Sequence, residues 1–248
     1  MIYAGTSGWA YPSWKPGFYP PKLASKKFLE YYATRLNTVE VNYTFRRWVT
    51  EKLATSWLAS TPAHFRFTFK APQDLTHIKR LRDAGDATRS FLQSLQPFCA
   101  AGKEKIGVVL FQLPPFLKAD TGLLGEFLPV LPKTMRFAFE FRHASWFQEK
   151  IYALLREHNV ALCIAESEKL SVPEVATADF VYYRLRKGEY TSAERENIRQ
   201  RVTAHLAAKD GAKGGAKDGD VFVYYKHEDD HAGTMYAEEL LLGASSSS

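Results

Sequence analysis

Eight short apolar runs of strand length, nearly all followed by an amphipathic helical pattern, predict an α/β protein: a (β/α)8 barrel of the TIM type. Two further observations favour a closed barrel. A doubly wound sheet would want fewer strands and usually a glycine-rich first turn, which this chain lacks. No fixed-period repeat suggests a solenoid. The barrel is expected to fill residues 1–243 as a single domain, with 244–248 as a disordered serine tail.

The strands are read from residue alternation at 2–6, 39–42, 65–70, 107–112, 136–142, 161–166, 180–186 and 221–226. Helical patterns fall at about 26–36, 50–60, 86–101, 121–130, 146–157, 192–208 and 233–242. The helix at 192 has a clear start, because Thr191 and Glu194 form a T-x-x-E capping box. Ile198, Val202 and Leu206 then recur every four residues as one buried stripe. The connection from strand six to strand seven, "SEKLSVPEVATAD", is short and proline-broken, so at most a turn of helix is expected there. "AAKDGAKGGAKDGD", before strand eight, reads as a flexible loop.

Pleat parity assigns the faces. In a barrel one strand face packs on the helices and the other points inward. In "RFAFEFRHASW" (136–146), Phe137, Phe139 and Phe141 should meet the helices, which sends Glu140 and Arg142 inward at the C-terminal mouth. By the same rule strand two sends Glu40 and Asn42 inward, strand three Arg66, Thr68 and Lys70, and strand seven Tyr182, Arg184 and Arg186. Strand four offers Gln112 and strand eight Lys226; the parity of Glu166 on strand six is ambiguous. So many charges inside a barrel need a reason, since desolvating an ion costs several kcal/mol unless partners compensate. Two are open: a functional pocket at the mouth, where active sites of this fold lie, or a self-neutralising ion network.

Composition narrows the class. At 46% hydrophobic, 248 residues can bury a large core. No run of 18 apolar residues suggests a membrane span, and the first residues do not read as a signal peptide. Cys99 and Cys163 read as buried free thiols of a cytoplasmic protein. The net charge of +6 is uneven, with 17 Lys and Arg against 8 Asp and Glu in residues 1–124, and 16 against 19 in the rest. A basic half is compatible with a small anionic molecule or nucleic acid, and also with a merely solvated face.

The stretches "GTSGWAYPSWKPGFYP", "LNTVEVNYTFRR", "FTFKAPQDLTH", "VLFQLPPF", "FAFEFRHASW", "ALCIAES" and "ATADFVYYRL" resemble, in order and spacing, the YecE-like family, a domain of unknown function. The resemblance covers roughly residues 1–240 and implies a TIM-type barrel. It implies no established activity; nucleic-acid proposals for the family rest on analogy of fold. Glu40, Asn42, Lys70, Gln112, Glu140 and Arg142 match the family's pattern position for position. Arg46 stands where the family usually has tyrosine, and Tyr225-Lys226-His227 where it usually has an "FNN" stretch.

Other motifs are weaker. His227-Glu228-Asp229-Asp230-His231 satisfies H-E-x-x-H, but it follows a strand and lacks a third ligand, so it reads as an acidic surface loop. Ser7 in "GTSGW" is no nucleophile elbow; the backbone N–H groups of its turn offer a small anion nest. No cofactor is expected, although Glu40, Glu140, His77 and His143 are residue types that could take a divalent metal. Trp9, Trp14, Phe45, Trp48 and Trp146 are packing residues individually and stacking candidates as a group.

The expected function is an enzyme, with hydrolysis as its candidate chemistry, acting on a phosphate-containing or nucleic-acid-derived anion at the C-terminal mouth of the barrel. Glu40 and Glu140 are the catalytic candidates, and Ser7, Trp9, Asn42, Lys70, Gln112, Arg142 and Arg184 the substrate-binding ones. The alternatives are a glycoside-active enzyme using Glu40 and Glu140 as a carboxylate pair, and a non-catalytic binder of nucleic acid or a small ligand.

Overall fold

Short runs, some alternating and some apolar throughout, form eight parallel strands: β1 (Ile2–Thr6), β2 (Thr38–Val41), β3 (Arg66–Lys70), β4 (Ile106–Gln112), β5 (Phe137–Glu140), β6 (Ala161–Ala165), β7 (Phe180–Leu185) and β8 (Asp220–Tyr225). This computed structural model describes residues 1–102, 105–207, 219–226 and 230–245. The hydrogen-bonded order is β1-β8-β7-β6-β5-β4-β3-β2, so the sheet curls into a nearly closed barrel. Helices surround it: α1 (Phe28–Arg35), α2 (Glu51–Ala59), α3 (Gly85–Ser94), α4 (Gln96–Ala100), α5 (Thr121–Phe127), α6 (Glu149–Glu157), α7 (Ser192–Ala207) and α8 (Ala232–Ser245). This is the (β/α)8 barrel expected.

Local chemistry explains the element limits. The expected helix at 86–101 breaks into α3 and α4 at Leu95, two residues before Pro97, because proline brings no backbone donor and crowds the preceding turn. Thr50 caps α2 by accepting from Leu53 N, and Asp120 caps α5 by accepting from Leu123 N. The capping box of α7 forms: Glu194 N donates to Thr191 Oγ1 at 3.3 Å, and Thr191 N donates to Glu194 Oε2 at 2.8 Å. Residues 166–179 contain no helix, as their proline-broken sequence suggests. The chain stays helical through Ser245; 246–248 of the expected tail and most of the expected 207–220 loop lie outside the described residues.

Two apolar layers result. Phe137, Phe139 and Phe141, with Phe65, Phe67 and Phe69, pack outward against the helices. Trp146 is fully buried and stacks on Phe141 with ring centroids 4.4 Å apart. Tyr3, Val108, Leu110, Ala138, Phe180 and Phe222 fill the barrel interior. Above them Tyr224 reaches across from β8, its hydroxyl 2.8 Å from Thr38 Oγ1 and 2.6 Å from Thr68 Oγ1.

Between β1 and β2 side chains replace the missing backbone ladder. Ala4 N donates to Asn37 Oδ1 and Asn37 Nδ2 donates to Ile2 O. Tyr32 Oη accepts from Thr6 N at 2.9 Å and donates to Thr38 O at 3.0 Å. The strands come so close that a Cβ on Gly5 would lie 2.0 Å from Thr38 O, which only glycine allows. Tyr32→Phe should therefore cost about 1–3 kcal/mol, because it strands buried polar groups on both sides of the seam. Urea unfolding measures this; a loss below a few tenths of a kcal/mol would show that the seam does not depend on the hydroxyl.

Candidate functional site

The mouth is built from strand ends. The inward face of β7 carries Tyr182 and Arg184, and Arg186 follows the same parity just past the strand. Neighbouring β6 presents only Ala161, Cys163 and Ala165 inward, small side chains that leave room for the arginine. Arg184, 1% exposed, grips Glu40 of β2 with two donors: Nε to Oε2 at 2.9 Å and Nη2 to Oε1 at 2.6 Å. Its Nη1 also donates to Glu140 Oε2 on β5. One guanidinium thus bridges two carboxylates across the barrel, a geometry for which the planar fork of arginine is suited.

The remaining oxygens are also used. Tyr182 Oη donates to Glu40 Oε2 at 2.6 Å. Gln112 and Glu140 are direct register partners on β4 and β5, and Gln112 Nε2 donates to Glu140 Oε1 at 2.9 Å. Burial is the largest influence on Glu40 and pushes its carboxyl up. Arg184, Arg186 and the donated hydrogen bonds outweigh it together and bring the carboxyl down to about 2. Glu140 is lowered by the same balance, burial opposing Arg184, Arg186 and the donors from Arg184 and Gln112. Burial works against the charged form of Arg184, yet Glu40 and Glu140 raise it well above its ordinary value.

Above this network opens a cavity of about 1140 Å3 at the C-terminal ends of the strands. Asn42, Lys70, Gln112, Glu140, Arg142 and Arg184 all line it. Glu40 lies beneath, 0% exposed, with both oxygens engaged. Lys70 has no hydrogen bond or carboxylate partner among the described residues; its Nζ sits 4.2 Å from the centre of the Phe45 ring. Burial, then Arg184, holds its ammonium down to about 8. The Arg186 guanidinium is likewise without a hydrogen bond or ion pair among the described residues, and burial followed by Arg184 lowers it. Arg142 Nε stands 3.9 Å from Glu140 Oε1, at the outer edge of an ion pair.

Ser7 and Trp9 do not form part of the cavity wall. Ser7 is buried, its N–H donating to Tyr225 O, while Gly8 N donates to Thr6 O. Ser7 still marks the rim: Asn42 Nδ2 donates to its carbonyl at 3.2 Å, and both Ser7 Oγ and Asn42 Oδ1 are buried without a partner. Trp9 packs edge-on against Trp57 of α2, with centroids 5.0 Å apart. Trp14 and Trp146 are fully buried, and of the five aromatics singled out only Phe45 faces the cavity. Tyr11, Tyr43, Arg47 and Lys169 also line it, and sequence reasoning did not single them out. Their one signal was position, in loops that follow β1, β2 and β6.

Glu166 lies just past β6 on the cavity wall, where it accepts from Arg186 N at 2.8 Å and from Tyr190 Oη. Among the described residues no group of three or more His, Cys, Asp or Glu side chains converges as a metal site. His77 Nδ1 is 2.9 Å from Thr76 Oγ1, and His143 Nδ1 accepts from Ser145 N at 3.2 Å. Of the H-E-x-x-H stretch, His227, Glu228 and Asp229 lie outside the described residues, and the His231 ring packs against Gly17. Cys163 is buried and Cys99 is partly exposed; both are free thiols. No helix among the described residues is long and apolar enough to cross a membrane.

Eight parallel strands around a buried ion network, with a polar cavity at their C-terminal ends, define a (β/α)8 barrel protein with a mouth site. The chain belongs to the DUF72 family, described as "Protein of unknown function DUF72", which it matches over residues 3–244. It is 31% identical over 158 residues to the UPF0759 protein YunF of Bacillus subtilis, covering 61% of this chain and 54% of YunF. It is 32% identical over 148 residues to the UPF0759 protein YecE of Escherichia coli K12, covering 59% of this chain and 50% of YecE. The match thus spans about half the length of these curated relatives. Among solved structures, a DUF72 family protein from Thermotoga maritima superposes with a TM-score of 0.80 at 24% identity over 99% of both chains. Another from Enterococcus faecalis gives 0.72 at 17% identity over 98% of both. At such identities the likeness shows the fold.

Proposed function

We propose that the mouth binds an anionic, phosphate-bearing small molecule and that the protein acts on it there as an enzyme. The observation that carries this reading is the pair Lys70 and Arg186, two half-buried cations that meet no carboxylate among the described residues. They stand over a network whose carboxylates are already committed to Arg184. Arg184 offsets one of the two carboxylate charges, and Lys70, Arg142 and Arg186 together exceed the one that remains, so an anionic ligand is the natural partner for the surplus. Arg142 and Arg186 would take the phosphate oxygens, with Asn42 and Gln112 orienting the rest. Glu140, the carboxylate that reaches the cavity wall, would act as base or electrostatic partner, since it is held ionised. Glu40 would serve from below by fixing Arg184.

The carboxylate-pair reading lacks support in this geometry. Glycoside hydrolysis needs one carboxyl kept protonated as the acid, whereas Glu40 and Glu140 share one guanidinium and are both held low.

Titration calorimetry with inorganic phosphate and pyrophosphate tests the proposal. Arg186→Gln should weaken binding by about 10- to 100-fold, the equivalent of one hydrogen bond to a charged group. Absence of binding by either anion would remove the reading. Tight, steeply salt-dependent binding of a single-stranded oligonucleotide in their place would favour nucleic acid.

A further inference from the structure

We propose that Lys70 is a carbonyl-reactive amine, and that the molecule taken at the mouth carries an aldehyde or ketone beside its anionic group. The proposal rests on the anion-binding reading above and assigns the chemistry of the same cavity.

Lys70 differs from every other cation in the mouth by its setting. It is the last residue of β3, so a rigid strand aims it into the cavity. Arg184 and Arg186 face it from β7 and beyond, Glu40 from β2 and Glu140 from β5. His77, which follows β3, also senses it, along with Arg142 past β5. The two carboxylates that could hold its proton are bound to Arg184, and the ammonium rests on the face of Phe45. Burial and neighbouring cations are how an amine is kept neutral enough to act as a nucleophile. Arg142 and Arg186 line the same cavity and hold the anion beside it, which places the carbonyl of the bound molecule at Lys70.

The step balances with nothing added. The lone pair of neutral Nζ attacks the carbonyl carbon, a C–N bond forms, and the π electrons move to oxygen, which takes up a proton while the nitrogen gives one up. The carbinolamine hydroxyl takes a second proton and leaves as water, while the nitrogen lone pair forms a double bond to carbon. The product is an iminium that loses a proton to become the imine. Protons come from and return to water in the open cavity.

Incubation with glyceraldehyde 3-phosphate and sodium cyanoborohydride, followed by peptide mass spectrometry, reads the site. Lys70 should be labelled at least tenfold more than surface lysines such as Lys187, with neutral glyceraldehyde labelling it at least tenfold less and inorganic phosphate protecting it. Its labelling rate should rise as pH passes through about 8. Lys70→Arg removes the amine and keeps a cation at the strand end, so it should lose the label while its far-UV circular dichroism stays unchanged. Labelling of Lys70 no greater than that of Lys187 would overturn the proposal, even with phosphate binding intact. Equal labelling by both aldehydes, without phosphate protection, would overturn the assigned substrate class. Loss of phosphate binding in the unmodified protein would instead count against the anion reading beneath it.

Discussion

Arg184→Met is expected to destabilise the fold by about 3–5 kcal/mol, because it leaves buried carboxylates without their counter-ion. Glu40 is 0% exposed and loses both donors from the guanidinium; Glu140, 5% exposed, loses one. Methionine fills most of the arginine stem's volume, so the cost falls on the charge and not on a cavity. For a chain of this length, the shift corresponds to a fall in Tm of about 6–20 °C. Urea unfolding of the single variant and of the triple variant Glu40→Gln, Glu140→Gln, Arg184→Met separates the causes. The triple variant should recover part of the loss. A loss below about 1 kcal/mol in the single variant would mean that water already screens the network.

Acid should undo the same network. Glu40 lies at about 2 in the folded protein against an ordinary 4.5, a lowered value. The stability it contributes is therefore complete above about pH 4.5 and is lost as pH falls from there through about 2. The gap corresponds to roughly 3 kcal/mol. Glu140 shifts in the same direction and adds to the effect. Urea midpoints measured between pH 7 and pH 2 should drop across this window. Glu40→Gln should start from a lower midpoint at pH 7 and show a shallower fall; an equally steep fall in that variant would place the acid sensitivity elsewhere.

Much of the site was legible because a barrel strand leaves its side chains only two directions. Once Phe137, Phe139 and Phe141 were placed toward the helices, Glu140 had to point inward, and the same parity placed Lys70, Gln112 and Arg184. Parity is silent on height along the barrel axis. It could not separate Glu40, sealed under the network, from Glu140, which reaches the cavity, because that difference comes from the stagger of the strands. Nor could it judge loops. Ser7 and Trp9 lie beyond β1, where hydrogen bonds to Tyr225 and packing on Trp57 claim them. Tyr11, Tyr43 and Lys169 reach the cavity wall by loop paths that no local pattern announces.

The sequence by itself determined the eight strands, nearly all the helices, the outward and inward faces and the end at which polar side chains gather. These follow from local propensity, proline and capping chemistry, and a two-residue pleat, all of which act over a few neighbours. Only the tertiary structure decided which charges neutralise one another. Arg184 meets Glu40 and Glu140, 144 and 44 residues away along the chain, while Lys70 and Arg186 are left facing the cavity without a carboxylate partner among the described residues. Charge pairing depends on distance in space and on exclusion of water, and both are set when the barrel closes.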